Sequence, residues 1–311
     1  MTNEFQTTGK KDAYYAYLII AFGITWLLWG ISIAMNQTKG YVMPAPGNII
    51  TLFQNGFQNS EHILYSIIFA LANFGPLIAA AYAIRTEKGA KGLANLWRKI
   101  FFFKVEGIWV LRAIVISFLT AAIPFLVAVI TGLIPDPGAV ISFMLPYILP
   151  IFIWQMLTSG LGEEPGWRGY LLRKLQGSLE GNKPIWALGF IWAVWHYPFT
   201  IYWTANGMAG EENGVIIATL ITALAGFTIN IIGTTYLHVW FYNNTSSIFL
   251  AIIFHAFNNV FPTILSIESA SQLAVLAGFM PWVIVFYLER RLGKEHFPGP
   301  IIVKNYKSSQ K

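Results

Sequence analysis

The chain has 311 residues and a formal net charge of +6; 56% of it is hydrophobic, 16% aromatic and only 11% charged. Soluble globular chains carry roughly 25% charged residues, so the composition and its long uncharged runs exclude an ordinary soluble domain and identify an integral membrane protein. There is no cysteine, which excludes disulfides, thiolate metal sites and a cysteine nucleophile, and the positive charge comes with no nucleic-acid motif.

In chain order, residues 1–13 are polar and lead into an apolar run from Ala13 to Met35. That run is too long for a signal-peptide core and lacks a small-residue cleavage site, so it is expected to be an uncleaved first span. Further runs at 62–84, 107–131, 143–163, 184–203, 214–240, 247–263 and 270–288 approach the about 20 residues that cross a bilayer. The expectation is an all-α, polytopic membrane protein with about eight transmembrane helices.

Charge placement sets its orientation. Arg85, Lys88, Lys91, Arg98, Lys99 and Lys104 fall between the second and third spans, and Arg168, Arg173, Lys174 and Lys183 between the fourth and fifth. Arg290, Arg291, Lys294, Lys304, Lys307 and Lys311 follow the last, whereas the opposite loops hold only Lys39 beside acids such as Asp136, Glu211, Glu212 and Glu268. The positive-inside rule then puts the N- and C-termini in the cytoplasm. Residues 14–140 read as a three-span region, 141–290 as a core, and 291–311 as a polar tail, mostly unstructured beyond Glu295. Within the first region, 91–103 (KGLANLWRKIFFF) reads as an amphipathic helix in the interface.

Ionisable groups inside spans are functional candidates because each costs at least a few kcal/mol in hydrocarbon. Glu163 and Glu164 stand adjacent in GLGEEPGWRGYLLRKLQ, with Arg168 one turn on. A structural role as an i, i+4 ion pair accounts for Glu164 and Arg168 but leaves Glu163 over. Two carboxylates in a poorly solvated site suit general acid/base work instead. His196 lies deep in the fifth span, two residues before Pro198, where the helix is expected to kink or break; its bland reading is a histidine bonded to a carbonyl. His255 reaches a similar depth in the seventh span, with Asn259 on the same face. His238, among aromatic residues near the cytoplasmic end of the sixth span, reads as structural or interfacial. The depth of Glu163 stays open: either the fourth helix starts late, near Pro146 or Pro150, or it continues past Pro165 into GYLLRKL.

Other intramembrane protease chemistries are absent. There is no His-Glu-x-x-His, the only aspartates are Asp12 and Asp136, both outside spans, and no serine lies in a Gly-x-Ser-x-Gly setting. Glutamate, histidine and asparagine remain.

EEPGWR (163–168), the apolar run ending at His196, and HAFNN (255–259) resemble the three motifs of the CAAX-protease and bacteriocin-processing family, which includes the type II CAAX prenyl endopeptidases. The family pattern is Glu-Glu-x-x-x-Arg, Phe-x-x-x-His and His-x-x-x-Asn or Asp; here Trp192 replaces the phenylalanine. The resemblance spans roughly 151–262. It implies an intramembrane endopeptidase acting on a membrane-associated protein or peptide, with CAAX-type or leader-type processing, in the cytoplasmic membrane of a prokaryote. It also implies residue roles: Glu163 and His196 activate water, His255 and Asn259 hold the oxyanion, and Glu164 and Arg168 shape and charge the site. No cofactor is expected; the alternative is a divalent metal such as zinc on Glu163, Glu164, His196 and His255. Two other readings compete. One is a non-catalytic immunity, regulatory or scaffold protein. The other is a proton-coupled transporter, against which stands the absence of paired broken helices in two halves.

Overall fold

The computed structural model describes residues 12–101, 104–265 and 271–293, and no strand occurs among them. The N-terminal lysines, Glu268, the last two residues of the 91–103 segment and the tail beyond Glu295 lie outside the described residues. The helices are α1 (Tyr14–Lys39), α2 (Ile49–Asn55), α3 (Ser60–Ala72), α4 (Gly75–Ile100), α5 (Gly107–Ile130), a composite α6 (Pro137–Ser178), α7 (Lys183–Gly207), α8 (Asn213–Thr245), α9 (Ile248–Ile264) and α10 (Ser271–Leu292). Helices are what apolar runs must form in lipid, where no water can satisfy an open backbone. Each of the eight expected spans falls on one of these helices or, for 62–84, on α3 and α4 joined at a 47° bend. By length and apolarity α1, α5, α6 and α8 each suffice to cross a membrane, and the bent α3–α4 pair makes a fifth.

Local signals set several boundaries. Asn59, Asp136 and Ser247 cap the starts of α3, α6 and α9 by accepting backbone N–H bonds. Gly40 ends α1 in the left-handed region with φ 67°. Gly89 (φ 66°, ψ −162°) interrupts α4, so that 90–100 turns away as a separate amphipathic stretch. There Leu96 and Ile100 are buried while Lys91, Trp97 and Arg98 face outward. Pro198 does not break α7, which runs unbroken from Lys183 to Gly207. Proline is tolerated inside membrane helices because hydroxyls and neighbouring helices re-satisfy the disturbed turn; here Thr200 Oγ1 donates to the carbonyl of His196 at 3.2 Å.

The core lies toward one end of the bundle. Residues 162–172 of α6, 231–242 of α8 and 250–256 of α9 are buried on every side, whereas the first half of α8 exposes Ile217, Ile221 and Ile229. A helix buried all round is a central helix, and the middle of α6 is central here. It packs against α4 and α9, while α1 covers α4 and α7, and α7 and α8 lie side by side. At this end α6 and α8 finish and α7 and α9 begin. It is tied shut by Glu87 of α4, whose Oε1 accepts from the backbone N–H of Ala13 at 3.0 Å, Tyr170 Oη at 2.7 Å and Lys174 Nζ at 2.9 Å. Lys174 also pairs with Asp12 at 3.1 Å. The Tyr14 N–H and that lysine hold the Asp12 carboxyl below the usual carboxylate range.

Close approach to α6 depends on glycine. A Cβ on Gly162 would stand 2.5 Å from the carbonyl oxygen of Asn73, and one on Gly166 would stand 2.5 Å from Cβ of Pro76 and 2.6 Å from its carbonyl oxygen. Four residues apart, they form one small-residue face on which the α3–α4 corner sits, as small-xxx-small faces allow between membrane helices. We predict that Gly166→Ala lowers the thermal midpoint of the detergent-solubilised protein by several degrees, as overpacking by about 1–3 kcal/mol requires. Gly23→Ala, which has open space around it, should leave the midpoint unchanged; equal midpoints for both variants would refute the close-packing account.

Candidate active site

The Glu163–Glu164 pair sits between two π-helical segments of α6, Met156–Gly160 and Trp167–Leu171. Segments of this kind widen a helix by one residue per turn and recur at functional sites. They carry α6 through Pro165 as far as Ser178, which settles the depth of Glu163. At 1.5 Å per residue, Glu163 lies about 22 Å from the Ser178 end of α6, and His196 about 20 Å from the Lys183 start of α7. The glutamate and the histidine share a level because α6 continues past Pro165, not because it starts late.

Glu163 is 2% exposed and Glu164 and Arg168 are fully buried. The expected i, i+4 pair is present, with Arg168 Nη1 2.9 Å from Glu164 Oε1. The same oxygen accepts from His255 Nδ1 at 2.7 Å and stands 3.5 Å from His238 Nε2. Glu163 is held differently. Its Oε2 accepts from the indole N–H of Trp192 at 2.7 Å and from that of Trp167 at 3.3 Å. Its Oε1 stands 3.9 Å from His255 Nε2, too far for a direct bond but close enough for one small group to touch both. His255 therefore lies between the two carboxylates, bonded to Glu164 through Nδ1 and facing Glu163 with Nε2. With His255 as the imidazolium and Arg168 charged, two cations balance two anions, the condition for burying so much charge.

The other residues divide by what they touch. His196 is half-buried, and its Nδ1 lies 2.8 Å from the carbonyl oxygen of Trp192. A carbonyl only accepts, so Nδ1 carries the hydrogen and Nε2 is the bare nitrogen of the neutral ring. No hydrogen bond joins His196 to Glu163 among the described residues; Trp192 stands between them, bonded to both. Asn259 donates from Nδ2 to Gln155 Oε1 at 3.0 Å, and Ser159 Oγ donates to the same oxygen at 3.0 Å. The guanidinium of Arg168 lies over the Trp192 ring, 4.3 Å from its centroid, a close cation–π contact.

Of its two readings, His238 takes the structural one. It is 1% exposed, its Nδ1 lies 3.0 Å from the Thr234 carbonyl, and its ring packs on Trp192 and His255 with centroids 5.4 and 5.7 Å apart. The expected span end near residue 240 misplaced it, since α8 runs on to Thr245. One signal could have found it: α8 and α9 form a hairpin about Ser246–Ser247, and His238 and His255 stand equally far from that turn on either side. Gln155 was missed, and Trp192 and Trp167 were seen only as motif positions and not as hydrogen-bond donors, because apolar and amide residues carry no charge signal in a span.

Among the described residues the donor atoms that converge within 4.8 Å are those of Glu164, His238 and His255, a set that shares Glu164 and His255 with the four residues named above. The converging set fits a divalent cation poorly. Its one carboxylate oxygen already holds the Arg168 guanidinium and a histidine nitrogen, and a second cation there would face a buried positive charge at contact distance. Glu164 Oε2, Arg168 Nε and Nη2, and His238 Nε2 are buried without a protein hydrogen-bond partner among the described residues. Such groups pair with ordered water or ligand polar atoms.

Comparison with known proteins places this geometry. Residues 145–261 match the family model described as type II CAAX prenyl endopeptidase Rce1-like, a stretch containing Glu163, Glu164, Arg168, His196, His238, His255 and Asn259. Over 266 residues the chain is 23% identical to a protein of Methanococcus maripaludis named CAAX prenyl protease 2, covering 83% of this chain and 86% of that one. The helical bundle closes around the three motifs within the matched stretch. Over that stretch the chain is similar to the type II CAAX prenyl endopeptidases, and the likeness identifies it as a multi-pass membrane peptidase.

Proposed function

We propose that this peptidase cuts a membrane-associated protein or peptide by direct attack of water, with Glu163 as the general base. The observation that carries this reading is the asymmetry of the two carboxylates. Glu164 is spent on Arg168 and His255, whereas Glu163 is anchored through one oxygen and keeps the other free of a direct bond, 3.9 Å from His255 Nε2. Water held at Glu163 Oε1, with the bare Nε2 of His196 as second acceptor, gives up a proton as its oxygen attacks the scissile carbonyl carbon. The resulting oxyanion takes hydrogen bonds from His255 and Asn259, and Gln155 fixes the Asn259 amide with its N–H side committed in direction. The tetrahedral centre then collapses, the C–N bond breaks, and the proton passes from Glu163 to the departing amine. Arg168 acts through Glu164, which orients His255.

This mechanism routes no step through a metal, because the converging donors are already neutralised by Arg168. The substrate class follows from the site's place: a peptide must enter a cavity among helices, at the end where the basic loops put the cytoplasm. The similarity to the CAAX prenyl protease 2 of Methanococcus maripaludis favours a lipidated C-terminal segment over a leader peptide, and that source favours the cell membrane of a prokaryote as the location.

Three outcomes are expected. Glu163→Gln, purified at wild-type yield and thermal midpoint, should lose at least about a hundredfold in kcat on a prenylated C-terminal peptide, within the range for a lost general base. Wild-type turnover in that variant would sink the assignment. Asn259→Ala should cost about 10²–10³ in kcat, as loss of one oxyanion donor does, with KM little changed. Prolonged treatment with EDTA and 1,10-phenanthroline should leave activity within about twofold of the untreated enzyme, as expected of a mechanism with no Lewis acid. Inactivation reversed by added zinc would show that Arg168 does not exclude a cation.

A further inference from the structure

Resting on the reading of Glu163 as the base, we infer that Trp192, assisted by Trp167, is the positioning residue that makes one defined oxygen of Glu163 reactive. A buried carboxylate can turn about its terminal bond and offer either oxygen. Here Oε2 carries both indole N–H bonds, at 2.7 and 3.3 Å, which leaves Oε1 as the oxygen facing His255 at 3.9 Å.

The choice of an indole has a chemical reason. Arg168 would hold Glu163 just as firmly, but as a salt bridge that pairs its charge directly. An indole N–H is neutral and donor-only, so it orients the carboxylate by a hydrogen bond without bringing a countercharge onto the same oxygen. Trp192 also occupies Arg168 itself: the guanidinium lies on its ring face, 4.3 Å from the centroid, and its one carboxylate partner among the described residues is Glu164. One side chain thus aims Glu163 with its edge and retains the competing cation with its face.

Its main chain reaches the second member of the pair. The Trp192 carbonyl accepts from His196 Nδ1 at 2.8 Å, which leaves His196 Nε2 bare. Glu163 on α6 and His196 on α7 are therefore set relative to one another through Trp192, which bonds to both. The phenylalanine of the family pattern would keep the carbonyl contact and a ring for Arg168, but not the bond to Glu163. That bond is supplied in this chain by the tryptophan.

The test is a comparison of Trp192→Phe with a variant carrying 3-benzothienylalanine at position 192, an isostere that keeps the shape of the indole and replaces N–H by sulfur. Both should reduce kcat about tenfold or more, the scale of a hydrogen bond to a charged group, while KM and the thermal midpoint stay at wild-type values. Trp167→Phe should cost less, matching its longer bond, and combining both phenylalanines should approach the loss in Glu163→Gln. In the Glu163→Gln background, Trp192→Phe should have no further effect on kcat. Wild-type kcat in the benzothienyl variant, or a change confined to KM, would overturn the inference even if Glu163→Gln is inactive. Should Glu163→Gln itself retain activity, the assignment of the base fails, and that result is separable from any outcome at Trp192.

Discussion

Everything in the core is arranged around one buried ion cluster, in which Glu164 Oε1 holds Arg168 at 2.9 Å and His255 at 2.7 Å. In a low-dielectric interior, charges of this kind persist only when matched and hydrogen-bonded. Removing either partner leaves an uncompensated charge at a cost of about 3–5 kcal/mol. That constraint requires the middle of α6 to be covered on all sides, and α4, α7, α8 and α9 supply the cover. It also requires close approach, which explains glycines at 162 and 166 where the α3–α4 corner meets the charged turn.

The same constraint separates two chemically identical residues. Glu164 bonds both Arg168 and His255 through Oε1 and has a structural task, holding them in register. Glu163, one position earlier, points to a different wall of the site, because successive residues on a helix differ by about 100° in direction. Its hydrogen bonds there come from indoles. The two π-helical segments flank this pair and let α6 pass Pro165 without leaving the bundle. Helix geometry therefore assigns different tasks to adjacent acids, and the aromatic residues around them keep those tasks distinct.

The bundle meets lipid through its other surfaces. The first half of α8 and the outward faces of α5 and α10 expose large apolar side chains such as Ile217, Leu126 and Phe286, as expected where the solvent is hydrocarbon. The polar groups are gathered within one end of the helices, toward the loops rich in lysine and arginine.

The sequence by itself determined the helical, membrane-embedded class, since 56% hydrophobic residues in long runs admit little else. It also singled out Glu163, Glu164, His196, His255 and Asn259 as candidates in or beside spans, and the i, i+4 pairing of Glu164 with Arg168, although it put Arg168 in a basic loop where the structure buries it within α6. Tertiary structure decided what period and composition do not encode. His238 joined the cluster only through the pairing of α8 with α9. Glu163 reached the level of His196 only because α6 continued past Pro165. Trp167, Trp192 and Gln155, ordinary residues in an apolar run, became hydrogen-bonding parts of the site through contacts between helices. Charge in a span is visible one residue at a time; the partner that orients that charge comes from another helix, and packing alone selects it.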